Sequence, residues 1–269
     1  MTELLQYSFF QNAIWACILT GIVCGLIGTY IVTRRMVFIA GGMAHASLGG
    51  VGICALAGWS PMIGATAFAL LTGYSVQRLS RRREIREDSA IAMLWAFGMS
   101  IGILCKFLSP AFLPSLSNYL FGNILLTTIE DILFLGVLTI IMSLFFYCFL
   151  PQIVAITYDI EFARSQKLPV ERFNYLLISL VALAIVASLR TAGIVMVISL
   201  LSIPQMTANM LSHKFAGMAL WSVGISIVCC LAGLVCSYWL NVPSGAAVIL
   251  VAIVIYLLVR TIKKLIRGL

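Results

Sequence analysis

Acidic residues are scarce in this chain, and none falls inside a long apolar run. The nine are Glu3, Glu84, Glu87, Asp88, Glu130, Asp131, Asp159, Glu161 and Glu171, all at predicted helix ends or in loops. Pumps and proton-coupled transporters keep ionisable groups at membrane depth as relay or coupling sites, so this pattern argues against a self-powered transporter. No G-x-x-x-x-G-K-[ST] loop occurs, which removes that way of cradling a nucleotide phosphate, and no H-E-x-x-H occurs either. The eight cysteines (Cys17, Cys24, Cys54, Cys105, Cys148, Cys229, Cys230 and Cys236) form no C-x-x-C pair. Their spacing matches no disulfide or metal pattern, and buried cysteine behaves as a small hydrophobe. There is no low-complexity tract and no linker of note. Residues 1–269 read as one domain.

Apolar residues, by contrast, dominate. At 62% hydrophobic and 10% charged, with a mean hydropathy of +1.10, the chain carries more apolar surface than a soluble domain of its size can hide. A spanning helix needs roughly 20 mostly apolar residues. Nine segments qualify as predicted spans: 9–33, 37–58, 61–79, 88–108, 130–150, 173–189, 192–211, 216–238 and 243–260. They are predicted to be helical, because a lone strand in lipid leaves its backbone unpaired. Pro204, Gln205 and Asn209 interrupt span 192–211, which is expected to be kinked or partly re-entrant. The polar interruptions at 78–88 and 151–172 are the largest. The first span lacks the positive leader of a signal peptide; Arg34 and Arg35 follow it instead.

The cations then orient the bundle. On this threading, fifteen of the seventeen Lys and Arg residues fall on one side, and only Lys106 and Arg190 on the other. Basic residues collect on cytoplasmic loops, so the N-terminus is expected outside and the C-terminus in the cytoplasm. The net charge of +8 therefore needs no nucleic-acid partner; it is spread as short loop clusters between apolar spans, not gathered on one folded face. The expected architecture is an all-α, polytopic transmembrane helical bundle of about nine spans, surrounded by membrane lipid.

Three segments carry chemistry. Gly41-Gly42-Met43-Ala44-His45-Ala46-Ser47-Leu48-Gly49-Gly50-Val51-Gly52 is rich in small residues, which let membrane helices approach closely; Gly21-x-x-x-Gly25 and Gly98-x-x-x-Gly102 offer the same. His45 is the one titratable side chain at predicted membrane depth besides thiols and tyrosines. It reads either as a hydrogen-bonded packing residue or as a ligand on a cation path, since neutral imidazole binds divalent transition metals. Gly98-Met99-Ser100-Ile101-Gly102 matches G-x-S-x-G, a hydrolase mark only on a strand-to-helix turn. Here it lies within a predicted helix, and an intramembrane serine protease would have to pair Ser100 with His45. Tyr158 to Pro169 reads as a short amphipathic helix, with Asp159 at its N-cap and a proline at its end. It is either a solvated surface loop or a docking helix for a soluble partner, with Phe162 and Ala163 seated in a groove.

These residues together resemble the membrane-spanning permeases of ABC transporters that import zinc, manganese or iron. The resemblance rests on Gly42-Met43-Ala44-His45-Ala46-Ser47, on Glu87-Asp88-Ser89-Ala90-Ile91, and on Tyr119-Leu120-Phe121-Gly122-Asn123-Ile124-Leu125 with Asp131 after it. It continues in Asp159 with Glu161-Phe162-Ala163, in the run Ala192-Gly193-Ile194 to Pro204, and in Val242-Pro243-Ser244-Gly245. What it implies is a transport subunit in a bacterial plasma membrane, not an enzyme, with no bound cofactor and a divalent metal ion as cargo. The implied partners are a cytoplasmic ABC ATPase subunit, a second permease copy or paralogue, and an extracytoplasmic metal-binding protein. Asp159, Glu161, Phe162 and Ala163, in a coupling segment about 157–170, would transmit ATPase closure to the spans. His45, Ser47 and Pro204 would line the path, with His45 as the metal-contacting residue. A related permease for a metal chelate or a cobalamin-like cofactor is the alternative. Two positions depart from the family: Gly41 stands where many members carry an Asp four residues before the His, and Lys167 where the family often has Gly. The first departure argues against a tight intramembrane site, since an i, i+4 Asp–His pair would share one helix face.

Overall fold

The structure, a computed structural model, describes residues 7–82, 86–108 and 122–267. Tyr119, Leu120 and Phe121 of the third motif, and Arg83 and Glu84 of the first polar interruption, lie outside the described residues. Helices account for nearly everything else: α1 (Ser8–Thr33), α2 (Val37–Leu56), α3 (Pro61–Arg82), α4 (Glu87–Leu108), α5 (Ile129–Cys148) and α6 (Leu150–Tyr158). They continue as α7 (Ile160–Ser165), α8 (Val170–Ala192), α9 (Ile194–Leu200), α10 (Ile203–Leu211), α11 (Phe215–Leu240) and α12 (Ser244–Arg267). No strand occurs among the described residues.

Among the described residues, eight helical stretches are long and apolar enough to cross a membrane, with α9 and α10 together making one of them, Ile194–Leu211. The ninth expected span, 61–79, is present as the 22-residue α3. At about 1.5 Å per residue it is long enough to span, but Thr66, Thr72, Ser75, Gln77 and Arg78 dilute its apolar character. The break expected around Pro204 is real: the helix stops at Leu200, Ser202 takes φ −128° and ψ −54°, and α10 restarts with Pro204 in its first turn, where a missing N–H costs nothing. The polar interruption 151–172 is shorter than expected. Residues 150–158 form a helix with Ile153, Ile156 and Thr157 buried, because Pro151 also falls in a first turn and Gln152 is only half-buried.

The chain divides into two compact units: Met1–Arg35 with Ser117–Leu168 and Ala187–Leu269, and Met36–Leu116 with Pro169–Val186. In the first, α1 lies against α11, which packs on α10 and α12. Gly21 and Gly25 face Ile227 and Val223 so closely that a Cβ at Gly25 would sit 2.6 Å from the Val223 Cα. Cys17, Cys24, Cys229 and Cys230 are buried free thiols in this core. In the second, α2 is held between α3 and α4 with backbones touching. A Cβ on Gly50 would lie 1.9 Å from the Gly64 carbonyl oxygen, and one on Gly98 2.5 Å from the Ala46 Cα.

Candidate functional site

The predicted docking segment is an elbow in the first unit. α6 ends at Tyr158, Asp159 takes extended backbone angles, and α7 follows at once. A six-residue helix is marginal unless both ends are satisfied. Here both are. The Asp159 carboxylate accepts from the Phe162 N–H at 2.9 Å, capping the first turn. At the other end Lys167 adopts φ +57°, its N–H reaches the Arg164 carbonyl, and the Leu168 N–H reaches that of Ala163. This is the Schellman arrangement, usually closed by glycine. Glu161 pairs with Arg164 at 2.9 Å in the open, which adds little stability. Ala163 is fully buried while Phe162 is 53% exposed. The alanine therefore roots the turn in its own chain, and the phenylalanine is the large apolar side chain that α7 leaves exposed.

His45 sits on α2 in the second unit. Its ring stacks on Trp95 of α4, with centroids 4.2 Å apart and planes within 10°, and Nδ1 is buried without a hydrogen-bond partner among the described residues. The Trp95 Nε1 donates to the Met99 sulfur at 3.0 Å. Ser47 is buried, and its hydroxyl donates to the Ala44 carbonyl at 2.6 Å, so it is tied into its own helix. Among the described residues no group of three or more His, Cys, Asp and Glu is placed to hold a metal ion. His45 therefore belongs to no side-chain cluster of the kind that holds a resident transition-metal ion. Pro204 is buried in the first turn of α10, in the other unit.

The G-x-S-x-G pattern is helix packing. Gly98 and Gly102 both press on α2, against Ala46 and Leu48, in the middle of α4. Ser100, two residues from each, is exposed on another side. No strand-to-helix turn surrounds it.

Sequence reasoning missed what assembles at the end of the first unit away from the elbow. Arg190 at the end of α8 pairs with Asp131 at 3.0 Å, and Asp131 is only 6% exposed. The same carboxylate accepts from the Thr128 N–H and hydroxyl at 3.1 and 2.8 Å, closing a capping box on α5. Gly122, at φ +61°, lies against the Ala192–Gly193 peptide with no room for a side chain. The Ile124 N–H donates to the Ser244 hydroxyl at 3.2 Å. Three of the motifs singled out above, far apart in the chain, therefore meet at one place. Each of the three carries a single glycine, Gly122, Gly193 and Gly245, too weak a signal to pair them.

Comparison with known proteins identifies the family and the fold. The model of the ABC 3 transport family matches residues 6–263. An uncharacterised membrane protein of Synechocystis is 36% identical over 264 residues, covering 98% of this chain and 94% of that protein. The manganese transport system membrane protein MntC of Halalkalibacterium halodurans is 33% identical, covering 95% and 88%. Among solved structures, PsaBC from Streptococcus pneumoniae in complex with a Fab superposes with TM-score 0.87 at 27% identity, covering 96% of this chain and 93% of that one. An inward-facing transporter described as of the metal-chelate type shares the fold, with TM-score 0.71 at 15% identity over 94% and 85%. The protein is a multi-pass transport component of a bacterial plasma membrane, not an enzyme.

Proposed function

This chain belongs to the ABC 3 transport family, and we propose that it is the permease subunit of an importer for divalent metal ions, manganese first among manganese, zinc and iron. The observation that carries the choice is likeness over nearly the whole chain to membrane proteins named for manganese transport, in Halalkalibacterium halodurans and in Listeria monocytogenes, the second 32% identical over 254 residues. In this reading the N-terminus lies outside and the C-terminus in the cytoplasm, following the basic residues. A separate cytoplasmic ATPase hydrolyses ATP and seats Phe162 in a groove, with Asp159 and Glu161 at the rim. A second permease copy or paralogue completes the membrane part, and an extracytoplasmic metal-binding protein supplies the cargo. His45, in the second unit, meets the ion on a nearly neutral path. A lone imidazole and carbonyl or hydroxyl oxygens hold the ion weakly enough for it to leave.

Purification of the chain from native membranes tests the arrangement, followed by uptake assays with manganese(II). A P-loop ATPase is expected in stoichiometric amount. Phe162→Asp is expected to lower its retention by roughly tenfold or more, since it replaces the aromatic anchor proposed to fill the ATPase groove with a charge. Uptake that follows a metal chelate and ignores free divalent ions would overturn the cargo in favour of the chelate reading.

A further inference from the structure

Two short helices of the first unit share one construction. α6 and α10 are each nine residues long, each follows a break in a longer run, and each carries a proline in its first turn. Each also has a carbonyl of its last turn bonded by a cation from a distant long helix. Arg34, the C-cap residue just after α1, donates from Nη1 to the Ile156 carbonyl at 3.3 Å. Lys263 of α12 donates from Nζ to the Met210 carbonyl. The last carbonyls of a helix lack intrahelical partners and carry its partial negative charge, so each cation meets both a free acceptor and a favourable dipole. The two helix ends are also neighbours. Tyr158, which closes α6, packs edge-on to Phe215, which opens α11 just after α10, with ring centroids 6.5 Å apart at 83°.

The elbow needs such a tie. α7 is six residues long and hangs on α6, which is separated from α5 by the irregular Phe149 at φ −112° and ψ 18°. Burial of Ile153 and Ile156 seats the body of α6, and the Arg34 bond adds a directed tie at its far end, where α7 begins. We infer that Arg34 is a positioning residue for energy coupling. By holding the end of α6 to the end of α1 it makes the elbow and α1 move together, while Tyr158 on Phe215 carries the same displacement to α11 and Lys263 keeps α10 in step. The inference rests on reading α7 as the docking helix, but adds a distinct claim: docking and coupling are separable at Arg34.

The experiment uses the full complex with its ATPase, reconstituted in vesicles, reading manganese(II) transported per ATP hydrolysed. Arg34→Gln keeps size and polarity but removes the charge. It is expected to retain the ATPase and its hydrolysis rate while transport per ATP falls roughly five- to tenfold, the scale of one charge-assisted hydrogen bond. Arg34→Lys is expected to restore most of the ratio. Phe215→Leu, which keeps the apolar contact but removes the ring, gives a second reading if the glutamine variant fails to fold; it should lower the same ratio. Wild-type transport per ATP in Arg34→Gln, or in Phe215→Leu where that is the variant that folds, overturns the inference while leaving docking intact. A wild-type chain that retains no ATPase sinks the docking reading itself.

Discussion

The two units solve one problem in different ways. Lipid supplies no hydrophobic force between helices, so association rests on close packing and on hydrogen bonds. The second unit relies mainly on closeness: α2 touches α3 and α4 backbone to backbone at Gly50, Gly64, Gly98 and Gly102. The first unit adds cross-links between helices. Thr20 meets Thr191, the Gln205 amide donates to the Cys24 and Leu200 carbonyls at 2.9 Å, and Asp131, Arg34 and Lys263 each bind across elements. Backbone contact leaves no slack for a side chain, whereas each hydrogen bond can be removed singly at modest cost. The glycine-packed unit should therefore be brittle to substitution and the cross-linked one graded.

The largest test of that contrast is Gly50→Val, which puts a branched side chain where even a Cβ meets the Gly64 carbonyl. A loss of about 3 kcal/mol or more is expected, read as loss of the monodisperse peak and of the thermal transition in detergent; a near-normal melt would show that α2 and α3 can separate at no cost. Next comes Asp131→Ala, which removes the carboxylate's half of the α5 capping box together with the ion pair, at about 2 kcal/mol. Arg190→Ala should cost about half as much, because the Thr128 bonds still satisfy the carboxylate. Equal losses in the two melts would mean that the ion pair, and not the cap, carries the site. The smallest effect has the opposite sign. Lys167→Gly relieves a non-glycine residue held at φ +57° and should raise stability by about 0.5–1 kcal/mol, seen as a small upward shift of the same transition.

Much of this was legible in the residues. Eight of the nine expected spans are each one helix, and Pro204 announced the break that splits 192–211 into two. Asp159 announced its cap, since a side chain that can bond the N–H three residues on does so wherever a helix begins. The helix Leu150–Tyr158 was hidden because Pro151 and Gln152 look like loop residues, and only the burial of Ile153 and Ile156 reveals its role. Ala163 was expected in a partner's groove and is buried in its own chain, a distinction no linear pattern contains. The G-x-S-x-G pattern was ambiguous until Gly98 and Gly102 were seen against α2.

Composition, hydropathy period and the placement of cations determined by themselves that this is a helical membrane protein, and roughly where its helices lie. Those properties are local: a run of twenty apolar residues must be helical in lipid whatever surrounds it. Which side chains meet was decided only by tertiary structure. Asp131 with Arg190, Arg34 with the end of α6, and His45 on Trp95 join residues far apart in the chain, through helix orientations set by the sum of many small contacts that no single stretch encodes.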